Sequence, residues 1–245
     1  MVGIPDGDRN RNHWDSLGSR YSANWASPAQ RELSEKETGF VLAHLPPGPA
    51  LRVLDVGVGT GRILEKLFAE EQVAEVYGVD IAPHMVEVCQ SRFAGNPKLK
   101  GLFVCDVDKE ELPLSVGLQF ISAIRVIKYS RNWWDIVEDK LMAHLAPGGV
   151  VVFSMPNSNS VKRLSRPYAV DYFQTTADTL RRRLASAGAQ VLEISGFSKV
   201  PDVVYRKLRR PALTRSLLAV EHGLDDVLGP ARLTRELFVA AQRAG

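Results

Sequence analysis

Only two cysteines occur in the 245 residues, Cys89 and Cys105, and neither belongs to a metal-ligand spacing. A disulfide-built scaffold and a cysteine-rich metal site are thereby excluded, and both thiols read as reduced core residues with no metal expected. No apolar run approaches the about 20 residues of a membrane span. The opening stretch, Met1-Val2-Gly3-Ile4-Pro5-Asp6, lacks the apolar core of a secretory signal, so the expected compartment is cytoplasmic. There is no internal repeat and no low-complexity tract. The net charge is only +3, too small by itself to argue for a nucleic-acid partner. What is present is 45% hydrophobic content, enough for a full core, in a length that suits one large α/β domain with appendages.

The most informative stretch is Val53-Leu54-Asp55-Val56-Gly57-Val58-Gly59-Thr60-Gly61-Arg62. It reads as a buried strand, a glycine turn and the start of a helix. Glycines at this spacing permit a sharp bend and let a ligand lie against the backbone. The helix that follows offers free N–H groups and a positive dipole end. A dinucleotide site wants G-x-G-x-x-G, whereas this chain has G-x-G-x-G with Asp55 two residues ahead. An acid there repels a pyrophosphate and suits a cationic amine, which favours an amino-acid ligand. The alternative is a tight β–α turn with no ligand at all.

The pattern resembles the first motif of class I S-adenosylmethionine-dependent methyltransferases, (Asp/Glu)-x-Gly-x-Gly-x-Gly. The resemblance covers about residues 51–240 and is closest to the small-molecule enzymes of the ubiquinone and menaquinone biosynthesis type. It implies an α/β, Rossmann-like fold with a seven-stranded, mainly parallel sheet, a final antiparallel strand and helices on both faces. It implies S-adenosyl-L-methionine as cofactor, with Asp55, Gly57, Gly59 and Gly61 around it.

Other segments follow in register. Ala74 to Val79 is a second strand ending at Asp80, whose carboxylate is placed to accept both hydroxyls of a ribose; the alternative is a helix N-cap ahead of Pro83. In the family, residues just after this acid flank the adenine, which here are Ile81 and Met85. A third strand, Gly101 to Val107, ends in another acid, Asp106, which with Val107 matches the family's carboxylate for the adenine amino group and backbone N–H for a ring nitrogen. Asp108 reads as a capping or surface acid. The fourth strand, Gln119 to Ile124, departs from the family: Leu118-Gln119 replaces Phe-Asp, and Lys128-Tyr129 stands where His-His is common. A helix is expected from Trp133 to Leu145, a fifth strand from Val150 to Met155, a helix capped by Thr176, a sixth strand from Val191 to Phe197 and a last from Glu236 to Ala240.

The sequence divides into a helical lid or cap over 1–50, a cofactor-binding domain over 51–199, a basic helical insertion within it over 200–234, and a last strand and tail over 235–245. Ser27-Pro28-Ala29-Gln30 is a helix start with Ser as N-cap and Pro at N1. Ahead of it, Trp14, Tyr21 and Trp25 either staple the segment to the core or, as the resemblance implies, cover the methionine end of the cofactor, with Trp14 and Tyr21 touching it. Candidate catalytic groups are Tyr21, Lys128, Tyr129 and His13, the last as a base if the segment folds over; Arg125 is a pocket residue by position and is included among the cofactor contacts. Asn157, Arg166, Tyr168 and Tyr172 are further acceptor-side candidates. The absence of an Asn-Pro-Pro-Tyr-type motif after the fourth strand weakens DNA-adenine and protein-glutamine readings.

The expected reaction is methylation of O, N or C on a small-molecule acceptor, with an anionic acceptor bearing phosphate or carboxylate suggested by the basic insertion. The rivals are an RNA or protein methyltransferase and a cofactor-binding module without turnover. Arg206-Lys207-Leu208-Arg209-Arg210, next to a helix striped with Leu213, Leu217, Val220, Leu224 and Leu228, is a solvated face, an acceptor site or a peripheral membrane contact. The oligomeric state stays open.

Overall fold

The computed structural model describes residues 11, 14–15, 27–115, 117–160, 172–199, 204 and 211–245, and within 211–228 only some of the side chains. Helix α1 (Pro28–Ala43) starts as the sequence requires, with Ser27 Oγ accepting from Gln30 N at 3.2 Å and Pro28 in the first turn, where no intrahelical donor is needed. Its buried face carries Ala29, Leu33, Phe40 and Val41 together with Ser34, Thr38 and one carboxylate, Glu37.

The chain then alternates strand and helix: β1 (Leu51–Val56), α2 (Arg62–Ala69), β2 (Val73–Asp80), α3 (Pro83–Arg92), β3 (Leu99–Val104) and β4 (Leu118–Ala123). A 3₁₀ turn over Ile127–Tyr129 leads into α4 (Trp133–Asp135). After it come β5 (Leu145–Pro156), α5 (Ala177–Ser186), β6 (Ala189–Ser195), α6 (Pro211–Leu228) and β7 (Glu236–Arg243). The seven strands form one sheet in the order β3-β2-β1-β4-β5-β7-β6, with β7 antiparallel to both neighbours. The other pairs are parallel. Covered on both faces, the central strands are near-continuous apolar runs. Alternation across the pleat sends Leu54 and Val151 into one core cluster and Val53 and Val152 into the other.

Two expectations need correction. The helix foreseen from Trp133 to Leu145 is three α-helical residues continued by a π-helix over Ile136–Met142, and β5 takes over at Leu145. The Pro147-Gly148-Gly149 turn is drawn into that strand because the end of β7 supplies donors to it: Gln242 Nε2 reaches Gly148 O at 2.8 Å and Arg243 Nη1 reaches Leu145 O. Of the apolar stripe on α6, Leu213 and Val220 are 52% and 61% exposed and Leu224 is exposed too, while Leu217 packs on Ala29 and Leu33. Among the described side chains of this helix, Thr214 and Glu221 are buried, and Glu221 Oε1 accepts the Lys199 backbone N–H at 2.7 Å.

β1 and β4 are adjacent while their following segments run to opposite sides. A crevice therefore opens beyond the carboxyl ends of these strands, the usual ligand position in open α/β sheets.

Candidate active site at the glycine turn

Gly57 follows β1 at φ 76°, a left-handed conformation costly for other residues, and an added Cβ would lie 2.7 Å from Val126 Cγ2. Gly57 and Val58 both donate to Val79 O, at 2.8 and 3.1 Å, which folds the turn onto the end of β2. Gly61 serves differently. It is the left-handed N-cap of α2, and a Cβ there would collide with the Phe93 ring. It closes the turn by packing and is not on the wall of the cleft.

Two adjoining lobes open beside this turn. The larger encloses about 550 Å³ and is lined by Val56, Gly57, Val79, Cys105, Asp106, Val107, Asp108, Ser130 and Ile136, among others. The smaller encloses about 460 Å³ and is lined by Gly59, Met85, Ile124 and Arg125. Trp14, Gly57, Asp80, Ile81, Val126 and Tyr129 line both, so the lobes form one cleft.

Asp80 stands at the junction. Its Oδ2 accepts from Gly59 N at 2.8 Å and its Oδ1 from Ala82 N at 3.0 Å. Burial raises its carboxyl above the ordinary range, against the pull of these backbone donors. The helix-cap alternative is not what the geometry shows: the N-cap of α3 is Ala82, and no side chain caps that helix. Asp106 and Val107 lie together on the wall of the larger lobe. Asp108 is not merely a surface acid. It lines the same lobe, and its Oδ1 accepts from Ser130 Oγ at 2.7 Å.

Asp55 lies elsewhere. It is 1% exposed, on neither lobe's wall, with Oδ1 accepting from Ser122 Oγ at 2.6 Å. Burial pushes its carboxyl up to about 7, the Ser122 hydroxyl and the Arg62 guanidinium pulling down and Asp80 adding to the rise. The direct contact with an ammonium foreseen from the motif is therefore replaced by a carboxyl walled in beneath the turn.

The segment after β4 also divides. Arg125 and Tyr129 line the cleft. Lys128 does not: it is buried behind them, its Nζ 3.3 and 3.4 Å from the two oxygens of Glu236. Trp14 meets the Tyr129 ring edge-on at 5.4 Å, and Asp15 Oδ1 accepts from His84 N at 3.3 Å, so the N-terminal segment reaches across the cleft. His13, Tyr21, Trp25, Arg166, Tyr168 and the basic run 206–210 lie outside the described residues. Tyr172 is among the described residues and on neither lobe's wall. Asn157 lies on neither lobe's wall, its Nδ2 donating to Ala231 O at 3.3 Å and its Oδ1 accepting from Asn159 N.

Sequence reasoning missed the charges under the cleft. Glu37 on α1 bridges Arg62 Nη2, at 3.0 Å, and the Arg125 guanidinium. Glu236, at the start of β7, joins Lys128 and Arg125. An acid in step with Leu33, Phe40 and Val41 on α1 was the available signal for Glu37; nothing local marks Glu236. Among the described residues no group of side chains suits a metal ion, and no helix is long and apolar enough to cross a membrane.

The cleft fits the cofactor its sequence implies. A turn of glycine backbone that side chains would fill, a buried carboxylate at the lobe junction, a second carboxylate beside a backbone amide in the larger lobe and an aromatic cover together match an adenosine with a charged amino-acid tail.

A family model described as "Methyltransferase domain" matches residues 17–194. The chain is 32% identical over 214 residues to malonyl-[acyl-carrier protein] O-methyltransferase of Methylococcus capsulatus, covering 84% of this chain and 71% of that one. It is 27% identical over 182 residues to trans-aconitate 2-methyltransferase of Methylobacterium nodulans, covering 72% and 66%. It shares its fold with magnesium protoporphyrin IX methyltransferase of Synechocystis PCC 6803 with bound SAH, at TM-score 0.63 and 14% identity over 98% of this chain and 100% of that one. The chain belongs to the methyltransferase family, as a class I enzyme whose methyl donor is S-adenosyl-L-methionine.

Proposed function

We propose that this enzyme methylates a carboxylate oxygen of a small-molecule acid. The observation that carries the reading is the contact of Trp14 with Tyr129, which places an aromatic pair on the wall shared by both lobes, where a small acceptor would meet the methionine end of the cofactor. Two similar proteins are named for acidic acceptors, malonyl-[acyl-carrier protein] and trans-aconitate, which supports the choice of a carboxylate.

S-adenosyl-L-methionine supplies a sulfonium-activated methyl group, so the protein's task is alignment and exclusion of water. Asp80 holds the ribose hydroxyls. Asp106 and Val107 hold the adenine edge, with Ile81 and Met85 against its faces. Gly57 and Gly59 give the amino-acid tail room along the backbone, and Arg125 takes its carboxylate. Trp14 and Tyr129 close the methionine end. A carboxylate acceptor is already ionised at neutral pH and needs no general base. The reaction then asks nothing of Lys128 as a base, in keeping with an ammonium held by Glu236.

The test is incubation with methyl-labelled cofactor and a panel of di- and tricarboxylic acids and malonyl thioesters. Base-labile methyl esters identified by mass spectrometry support the reading. Label appearing only on amine or carbon acceptors, or only on RNA or protein, refutes it.

A further inference from the structure

Arg125 is the one basic side chain on the walls of the cleft among the described residues, and its setting is unusual. Its φ of 63° is left-handed, a conformation that a residue with a Cβ adopts only when its surroundings impose it. Two devices impose it here. Its backbone N–H donates to Ser154 Oγ at 2.8 Å, and that hydroxyl in turn donates to Glu236 Oε1 at 2.7 Å. Its guanidinium is gripped by Glu37 through Nε, at 2.9 Å, and Nη2, while Nη1 lies 3.8 Å from Glu236 Oε2. Backbone and side chain of Arg125 thus converge on one carboxylate, contributed by a strand 111 positions later in the chain (236 less 125).

We infer that Glu236 is a positioning residue for Arg125, fixing its guanidinium as the receiver for the amino-acid carboxylate of the cofactor. The inference rests on the placement of Arg125 at the methionine end given above. Burial opposes ionisation of Glu236, but the Lys128 ammonium and the Arg125 guanidinium outweigh it and hold the carboxyl down at about 2. Glu236, ionised at neutral pH, draws the guanidinium from one side as Glu37 draws it from the other. Lys128, bidentate on the same carboxylate, keeps Glu236 from swinging toward the cleft. Arg125 therefore meets its ligand with little rotamer freedom left to lose.

Two ligands separate this role from general support of the fold. S-adenosylhomocysteine carries the amino-acid carboxylate, and 5′-methylthioadenosine has the same adenosine and thioether without it. Calorimetric titrations of both are run on the wild type, Arg125→Met, Glu236→Gln and the paired Glu236→Gln with Lys128→Met. Arg125→Met is expected to weaken S-adenosylhomocysteine at least about tenfold and leave 5′-methylthioadenosine unchanged. Glu236→Gln is expected to lower the same affinity ratio several-fold. The paired variant leaves no orphan ammonium, so it stays folded where the single variant fails, and it is expected to show the same selective loss. If the two ligands weaken equally in both Glu236 variants, or neither weakens, the positioning role is overturned while the Arg125 assignment stands. If Arg125→Met leaves the ratio unchanged, the assignment itself falls and the inference with it.

Discussion

Ser122 donates a 2.6 Å hydrogen bond to Asp55 across the β1–β4 register, beneath the glycine turn. The hydroxyl is not enough to keep the acid ionised at low pH, since burial lifts it to about 7. In the unfolded chain the group ionises near its ordinary 3.8. Between those values the folded state holds an extra proton, so this residue makes stability fall as pH rises through the window. Asp55→Asn should be near neutral at pH 4 and stabilising at pH 8, with a ceiling of about 4 kcal/mol. S-adenosylhomocysteine should bind the variant less well, because the field that favours a cation is gone. Urea midpoints at the two pH values check this, and an equal effect at both contradicts it.

Glu236 predicts the opposite pH dependence. Its carboxyl sits at about 2, below the ordinary 4.5, so it stabilises the fold fully above about 4.5 and loses that contribution as pH falls toward about 2. Glu236→Gln should cost about 3–5 kcal/mol at pH 7, because Lys128 and Arg125 lose a buried partner. The difference between wild type and variant should shrink progressively below pH 4.5 in denaturant titrations.

Gly57→Ala tests the turn. The left-handed backbone costs about 1–2 kcal/mol for a residue with a Cβ, and the new methyl presses on Val126. A lowered Tm together with weakened S-adenosylhomocysteine binding is expected; an unchanged Tm would mean the turn relaxes freely.

Trp14→Ala tests the cover. It removes the edge-on contact with Tyr129, worth about 0.5–1.5 kcal/mol, and opens one wall of both lobes. Stopped-flow measurements should show S-adenosylhomocysteine leaving several-fold faster with little change in Tm. A fall in Tm with unaltered release would make Trp14 a staple alone.

The sheet and the glycine turn beside the cleft were legible because local chemistry dictates them. Gly57 must bend left-handed, Asp80 must end a strand, and Ser27-Pro28 must start a helix. The charges beneath the cleft were not legible, because whether Glu37 or Glu236 is buried depends on partners far away in the chain. Lys128 shows the same limit: by position it belongs to the pocket, yet Glu236 turns its ammonium away. The stripe on α6 was legible as a pattern but not its burial: Leu217 packs while Leu213, Val220 and Leu224 are exposed, and Glu221 is buried against the backbone of Lys199.

Cofactor binding is centred on the carboxylate at the junction of the two lobes, and the direct measurement is calorimetry of S-adenosylhomocysteine binding to Asp80→Ala. A loss of about 1.5–3 kcal/mol, the worth of charged hydrogen bonds to the ribose, is the predicted result. An affinity equal to that of the wild type would contradict it.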